Sequence, residues 1–368
     1  MEINSLKMIS FRNHDKTNID FNSGLTVIWG KNGSGKTSIL EAIHSLSIGK
    51  SFKTNNKKEL IKKSAPGFFL KGVFIDKNNN RNTVSFSQTI NGNKKISINK
   101  KEIIKRKEML GLNNVVVFSP EEEEITKGPA GERRKYFNRI FSICSPIYLK
   151  NLLSYNRILK QRNSLLKIKN QKKDVLRSWS EPLSIFGEKL WVERKKEIEK
   201  FGKIFKKTAK SFEKKLEVSL KYKNKIKNKS EIENELNNNE ELDIKRGFTS
   251  LGPHRDDVLF FWEKKPIRKH GSQGENKIFL ALLKIAEHIY VSKKTKTTPI
   301  FLIDDMFAGL DKERSKKILT FIGRLQGSSF CPPQTIITTT DLINIEKNKQ
   351  VFKNNNITKH QMTQNGIA

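Results

Sequence analysis

Residues 25–37 read Leu25-Thr26-Val27-Ile28-Trp29-Gly30-Lys31-Asn32-Gly33-Ser34-Gly35-Lys36-Thr37. An apolar run of strand length passes directly into Gly-x-x-x-x-Gly-Lys-Thr, which is a phosphate-binding P-loop. The glycines let successive backbone N–H groups turn inward and cradle anionic oxygens. Lys36 is placed to reach the β- and γ-phosphates, and the Thr37 hydroxyl to ligate Mg²⁺. Ile39, Leu40 and Ile43 then follow at helical spacing. The pattern predicts a helix over 38–47 whose N-terminal dipole faces the phosphates. Strand, loop and helix in this order predict an α/β nucleotide-binding fold.

Further apolar runs extend the α/β pattern to both ends of the chain. Strands are expected at 3–11, 68–75 and 115–118, and Asn91-Gly92-Asn93 between two alternating stretches predicts a hairpin. From about Gly131 the period turns helical: Tyr148, Leu152, Tyr155 and Leu159 make one stripe, and Phe201, Phe205 and Phe212 another. Between them the faces are dense in Lys, Arg and Glu. A strand at 216–222 and a polar stretch at 224–239 complete a mostly helical insert over roughly 135–247. Strand and helix patterns return at 257–262, 279–289, 299–303, 311–325 and 335–337, and the polar tail after Lys347 reads as frayed.

Ile300 to Ile303 ends in Asp304-Asp305. An apolar strand closed by carboxylates is a Walker B element. Asp304 is expected to hold Mg²⁺, and Asp305 to orient an attacking water. Gly271-Ser272-Gln273-Gly274-Glu275 precedes a helix, with Ser272 as its N-cap. That helix start forms a second anion site. ABC-type ATPases carry a Ser-x-Gly-x signature at this place, where it contacts the γ-phosphate held by the opposite protomer. Gly309-Leu310-Asp311 fits the D-loop of that class.

The chain carries 72 basic and 38 acidic residues, a net charge of +34. Such a balance favours a polyanion as partner, although the abundance of Lys, Asn, Ile and Phe offers A/T-rich codon usage as a second source of lysine. No window approaches the ~20 apolar residues of a membrane span. The N-terminus lacks the apolar stretch of a signal peptide, and Cys144 and Cys331 form no metal or redox spacing. A reduced, cytoplasmic setting is expected. The DNA-contacting candidates are Arg133, Arg134, Lys135 and the basic helical faces of the insert.

The ordered motifs are specific enough to name a resemblance. Phe11-Arg12-Asn13, the segment 30–43, Phe118-Ser119-Pro120-Glu121, Arg133-Arg134, Leu159-Lys160-Gln161-Arg162-Asn163, Gly252-Pro253-His254-Arg255-Asp256-Asp257, Ser272-Gln273-Gly274 and Leu302-Ile303-Asp304-Asp305 make the chain resemble the bacterial RecF family over essentially its full length. The resemblance implies an ABC/SMC-like P-loop ATPase head with a mostly helical inserted second domain. The head is read as 1–134 and 248–368, the insert as 135–247. It implies ATP and Mg²⁺ as cofactors and an ATP-dependent homodimer. It also implies binding of DNA at single-strand/double-strand junctions, slow hydrolysis, and work with the RecO and RecR mediator proteins. On this reading Gly30 to Thr37 and Ser272 to Gly274 hold nucleotide, Thr37 and Asp304 the metal, and Lys36, Asp304 and Asp305 serve catalysis.

Some positions depart from the family pattern. Val115-Val116-Val117 stands where some relatives have a Q-loop glutamine. Ala130-Gly131-Glu132 replaces the start of Pro-x-x-Arg-Arg, and Asn138 replaces an aspartate. Thr338-Thr339-Thr340-Asp341 follows the strand where transporter ATPases place a switch histidine. Arg12 and Asn13 are placed to approach adenine or ribose. Arg255 is open to the nucleotide site or a dimer seam, and His254 to either of these or a structural place. The ATPase subunit of a membrane transporter is the alternative reading; the basic helical insert argues against it. A third reading is a scaffold that binds nucleotide without turnover.

Overall fold

The computed structural model describes residues 1–168, 173–223, 228–305, 312–326, 334–340, 342, 357–363 and 366–367. The chain forms two units: 1–123 with 272–368, and 124–271.

The first unit holds two six-stranded sheets. In the first, Leu25–Gly30 lies between Thr335–Thr339 and Ile357–Thr363, and the order continues through Ile300–Asp304 to Val115–Phe118. These five strands are parallel, and Gly366–Ile367 adds an antiparallel edge. The inner strands Leu25–Gly30 and Ile300–Asp304 are largely apolar because both faces are covered, and Thr335–Thr339 between them is wholly buried although three of its five residues are threonine. The second sheet is antiparallel, in the order His14–Asp20, Glu2–Phe11, Gly67–Ile75, Arg81–Thr89, Lys94–Ile98, Lys101–Glu102. The helix Lys36–Ile48 is buried almost all round. Its Ile39, Leu40, Ile43 and Leu46 share one core with Leu6, Met8, Leu70 and Phe74 of the antiparallel sheet and with Ile28, Leu302 and Ile336 of the parallel one. Burial on nearly every side means that its polar residues need partners: Glu41 takes Arg12, His44 the Lys50 carbonyl and Ser47 the Asn113 carbonyl.

The parallel order joins strands that lie up to some three hundred residues apart in sequence. It sets the ends of Leu25–Gly30 and Ile300–Asp304 on either side of Thr335–Thr339. Ligands of open α/β sheets gather at such carboxyl ends.

In the second unit the helix Ser180–Phe212 buries Leu183, Leu190, Trp191, Ile198, Phe201 and Phe205. The helix Ala130–Cys144 sets Phe137 edge-to-face on Phe201 of that helix, and its Phe141 meets Tyr148 of the helix Pro146–Leu165 in the same way. A three-stranded antiparallel sheet, ordered Lys265–Pro266, Asp257–Trp262, Val218–Lys223, completes the unit.

Two expectations are corrected. The boundaries fall at Glu123/Glu124 and Gly271/Ser272, not at 134/135 and 247/248. Asp257–Trp262 pairs with Val218–Lys223 across six residues, so it belongs to the insert. The tail is not frayed throughout: Ile357–Thr363 pairs in parallel with Leu25–Gly30 and buries Met362. Gly309 to Asp311, Cys331 and Asp341 lie outside the described residues.

Candidate nucleotide site

The P-loop links strand Leu25–Gly30 to helix Lys36–Ile48. Gly33 and Gly35 sit at φ 79° and 98°, in the left-handed region that only glycine enters without strain. A Cβ on Gly35 would lie 2.6 Å from His14 Nε2 and 2.8 Å from Asn13 Nδ2, so that glycine is also demanded by close approach. Lys36 is buried, and its Nζ donates to the carbonyl oxygens of Gly30 and Lys31, both at 2.8 Å. Burial lowers its pKa, against the opposing pull of Asp305 and Asp304. Lys36 and Thr37 occupy the first helical positions, whose N–H groups have no intrahelical acceptor. Ser34 Oγ is buried and has no hydrogen-bond partner among the described residues. Amides, a buried cation and an orphaned hydroxyl on one loop fit the oxygens of a phosphate chain.

Asp304 closes its strand beside the loop. Thr37 Oγ1 donates to Asp304 Oδ1 at 2.9 Å, and Thr338 Oγ1 donates to the same oxygen at 2.5 Å. Burial raises the Asp304 pKa, and the two hydroxyls pull it back in part. A hydroxyl and a carboxylate this close are the hard oxygen donors that Mg²⁺ takes alongside phosphate. Asp305 follows at φ 40°, an uncommon conformation for a side-chain-bearing residue. Its N–H donates to Thr338 O at 3.2 Å. Thr338 therefore holds the carboxylate of Asp304 and the main chain of Asp305. The sequence reading passed over it: its strand reads Thr335-Ile336-Ile337-Thr338-Thr339, and nothing local singles out one of the three threonines.

The hairpin ahead of the P-loop is a support that the sequence reading also missed in part. His14 Nε2 meets Gly35 O at 3.1 Å and its Nδ1 meets Thr17 Oγ1 at 2.9 Å. Asn13 Nδ2 donates to Gly33 O at 3.2 Å. Arg12 grips buried Glu41 of the P-loop helix through two hydrogen bonds of 2.6 and 2.7 Å. Arg12 and Asn13 are thus engaged in holding the loop.

Ser272 caps the helix Gln273–Thr295. Its Oγ accepts from Glu275 N at 3.2 Å, and Glu275 returns a carboxylate to Ser272 N at 2.7 Å, a reciprocal capping box. Ser272 and Gln273 are exposed. The Arg314 guanidinium lies over Gly274, 2.2 Å from where a Cβ would stand. Among the described residues Ser272 bonds to Glu275 and Asn276, both in the first turn of its own helix. Deeper in the same helix, buried Lys284 pairs with Glu122 at 2.8 Å and with Glu287 at 2.9 Å.

The Gly252-Pro253-His254-Arg255-Asp256-Asp257 segment is spent inside the second unit. Asp256 Oδ2 accepts from Trp191 Nε1 at 2.7 Å, from Arg194 at 3.1 Å and from Tyr222. His254 joins Tyr155 Oη at 2.6 Å to Thr249 O at 2.9 Å. Arg255 donates to Thr249 O at 3.0 Å and stacks on Phe248. Arg133, a DNA candidate from sequence, is 3% exposed and grips Asp257 through bonds of 2.8 and 3.0 Å. Arg134 donates to Asp256 O at 2.6 Å. Arg133 is thus buried and committed to the fold, and Arg134 is half-buried. Lys135 is exposed and pairs with Glu132 at 2.7 Å.

A P-loop and a Walker B strand on one parallel sheet, with a capped signature helix, define an ATPase of the ABC/SMC type. The family model of the RecF/RecN/SMC N-terminal domain matches residues 2–365, and the DNA replication and repair protein RecF of Clostridium novyi (strain NT) is 34% identical over 98% of this chain and 100% of its own. The chain belongs to the RecF family of DNA replication and repair proteins. A solved structure of RecF with ATP, described as a recombination mediator of the RecFOR pathway, superposes with a TM-score of 0.86 at 27% identity. It covers 100% of this chain and 96% of the solved one. An Smc head bound to the C-terminal winged helix of ScpA matches at TM-score 0.58 and 18% identity, over 100% and 98%, and speaks for the fold alone. The transporter alternative finds no support among these relatives. Among the described residues no helix is long and apolar enough to cross a membrane.

Proposed function

We propose that the chain is an ATP-gated clamp on DNA that works in the cytoplasm as a slow ATPase. The observation carrying this reading is the 2.9 Å contact between Thr37 Oγ1 and Asp304 Oδ1 beside a glycine cradle, while the signature serine stands exposed on its own helix. Gly30 to Thr37 hold the phosphates of ATP, with Lys36 on the β- and γ-oxygens. Thr37 and Asp304 hold Mg²⁺, directly or through water. The ion, when bound, neutralises charge on the transferring phosphoryl group.

Ser272, Gln273 and Gly274 meet the γ-phosphate held by a second copy, with amides at a helix start as the donors. Two copies are then joined only while triphosphate is present, because the signature gains nothing from the diphosphate. Asp305 orients the attacking water. It is one methylene shorter than the glutamate common here in faster ABC ATPases, and a displacement of about 1 Å can cost about 10²-fold in rate. Slow turnover suits a timed release from DNA. The RecFOR description of a solved relative supports a place beside RecO and RecR, and single-strand/double-strand junctions are the DNA on which the clamp is proposed to act.

Light scattering with a non-hydrolysable ATP analogue and Mg²⁺ tests the reading. The chain is expected to double in mass with the analogue and not with ADP, and Lys36→Met to remain single in both. Mass unchanged by the analogue at high protein concentration would sink the clamp, and mass doubling in Lys36→Met would favour a passive scaffold.

A further inference from the structure

The exposed face of the helix Ser180–Phe212 carries Lys195, Lys196, Lys203, Lys206, Lys207 and Lys210. At 100° and 1.5 Å per residue the six fall within an arc of about 120° and a length of about 22 Å. Glu199 is the one exposed acid between them. None of the six has an ion-pair partner closer than 4.0 Å among the described residues. The opposite face is the buried apolar stripe of Ile198, Phe201 and Phe205.

Lysine-rich codon usage would scatter lysines without regard to place. The unit instead sorts its charge. The neighbouring helix Lys229–Asn238 carries Glu231, Glu233 and Glu235 against the single cation Lys229. Like charges gathered at i, i+3 and i+4 cost stability, so the stripe needs a counter-charge from outside the chain.

We propose that this lysine face is the surface on which the phosphate backbone of duplex DNA lies. The proposal rests on the DNA-clamp reading and gives it a location. Along a duplex each strand presents a phosphate every ~3.4 Å, so about 22 Å of axis offers about six per strand. Six flexible point charges match that density and fix no base geometry. The exposed residues among them are lysines and one glutamate, with no aromatic platform for unstacked bases and no amide fork for a base edge. The surface therefore binds without regard to sequence and with strong salt dependence. Arg133 and Arg134, already engaged in the fold, are not part of it.

The test uses the full chain with a non-hydrolysable ATP analogue, titrated with blunt duplex, gapped duplex and single strand across a range of salt. The Lys196→Glu, Lys203→Glu, Lys207→Glu triple variant is expected to lose at least about tenfold in duplex affinity and to flatten the salt slope by about 3. The same three positions as Arg are expected to keep both, and both variants to keep analogue-induced dimerisation. Should the glutamate variant unfold, the Gln triple carries the same expected change in slope. Unchanged duplex affinity and slope in the Glu or Gln variant overturns the surface and leaves the clamp standing. Loss of binding to heparin or anionic vesicles with duplex binding intact overturns it in favour of another polyanion. A wild-type chain that binds no DNA at any salt overturns surface and clamp together.

Discussion

At the scale of single residues, the site is governed by how few groups hold the two Walker B aspartates. Thr37 and Thr338 both donate to Asp304 Oδ1, and Thr338 also accepts the Asp305 N–H through its carbonyl. Burial raises the Asp304 pKa, so its proton leaves at a higher pH than that of a solvated aspartate. On the proposed reading Asp304 holds Mg²⁺ as the ionised carboxylate, so metal-supported nucleotide binding is expected to be kept above that pKa and lost as pH falls through it. Thr338→Val deletes one of the two hydroxyls that favour ionisation, which raises the pKa further. The acid limb of Mg²⁺-dependent ATP binding is expected to move to higher pH in the variant, measured as nucleotide affinity at fixed Mg²⁺ over a pH series. A limb that stays in place, or moves down, would show that Thr338 does not tune Asp304. The motif residues of this site were legible in sequence because their chemistry is tied to spacing along one segment. Thr338 was not, because its role comes from strand order: Thr335–Thr339 lies between Ile300–Asp304 and Leu25–Gly30.

At the scale of elements, sequence misjudged where charge is spent. Arg133-Arg134-Lys135 reads as a basic cluster, yet the partner of Arg133 is Asp257, 124 residues downstream. The bond ties the helix Ala130–Cys144 to the strand Asp257–Trp262, and no local pattern announces it. The same strand misled the boundary, since a short apolar strand reads alike in either unit and only its pairing with Val218–Lys223 assigns it. The strand Ile357–Thr363 escaped notice because a polar strand that buries Met362 has little hydrophobic signature. These placements make opposite predictions for neighbouring residues. Arg133→Ala leaves Asp257 without its buried cation and is expected to cost the second unit about 3–5 kcal/mol. Lys135→Ala breaks an exposed pair and is expected to change stability by no more than about 0.5 kcal/mol. Urea unfolding of both variants checks this. A stable Arg133→Ala with weakened DNA binding would return that arginine to the interface.

At the scale of the whole molecule, each unit holds a histidine whose pKa its surroundings push far down. His254 sits in the second unit between Tyr155 and Thr249, and His288 in the first donates to Pro299 O at 3.0 Å. Burial pushes both pKa values down to about 4, against the raising effect of their backbone hydrogen bonds. The unfolded chain protonates its histidines near 6.5. Above that pH neither state binds the proton and the histidines make no difference to stability. Between about 6.5 and about 4 the unfolded state binds it and the folded state does not, so each histidine costs up to about 3 kcal/mol as pH falls. Both units are expected to weaken on acidification well before their surface carboxylates titrate. His288→Gln removes one proton from this balance in the first unit. Hydrogen exchange reads the two units separately. In the variant, the loss of first-unit stability per pH unit is expected to shrink by up to about 1.4 kcal/mol, with the second unit unchanged. The glutamine lowers stability at neutral pH through its own poorer packing, which leaves the slope as the informative quantity. A first-unit slope equal to that of the wild type would mean that His288 is protonated in the folded chain, and the acid sensitivity would then have to come from elsewhere.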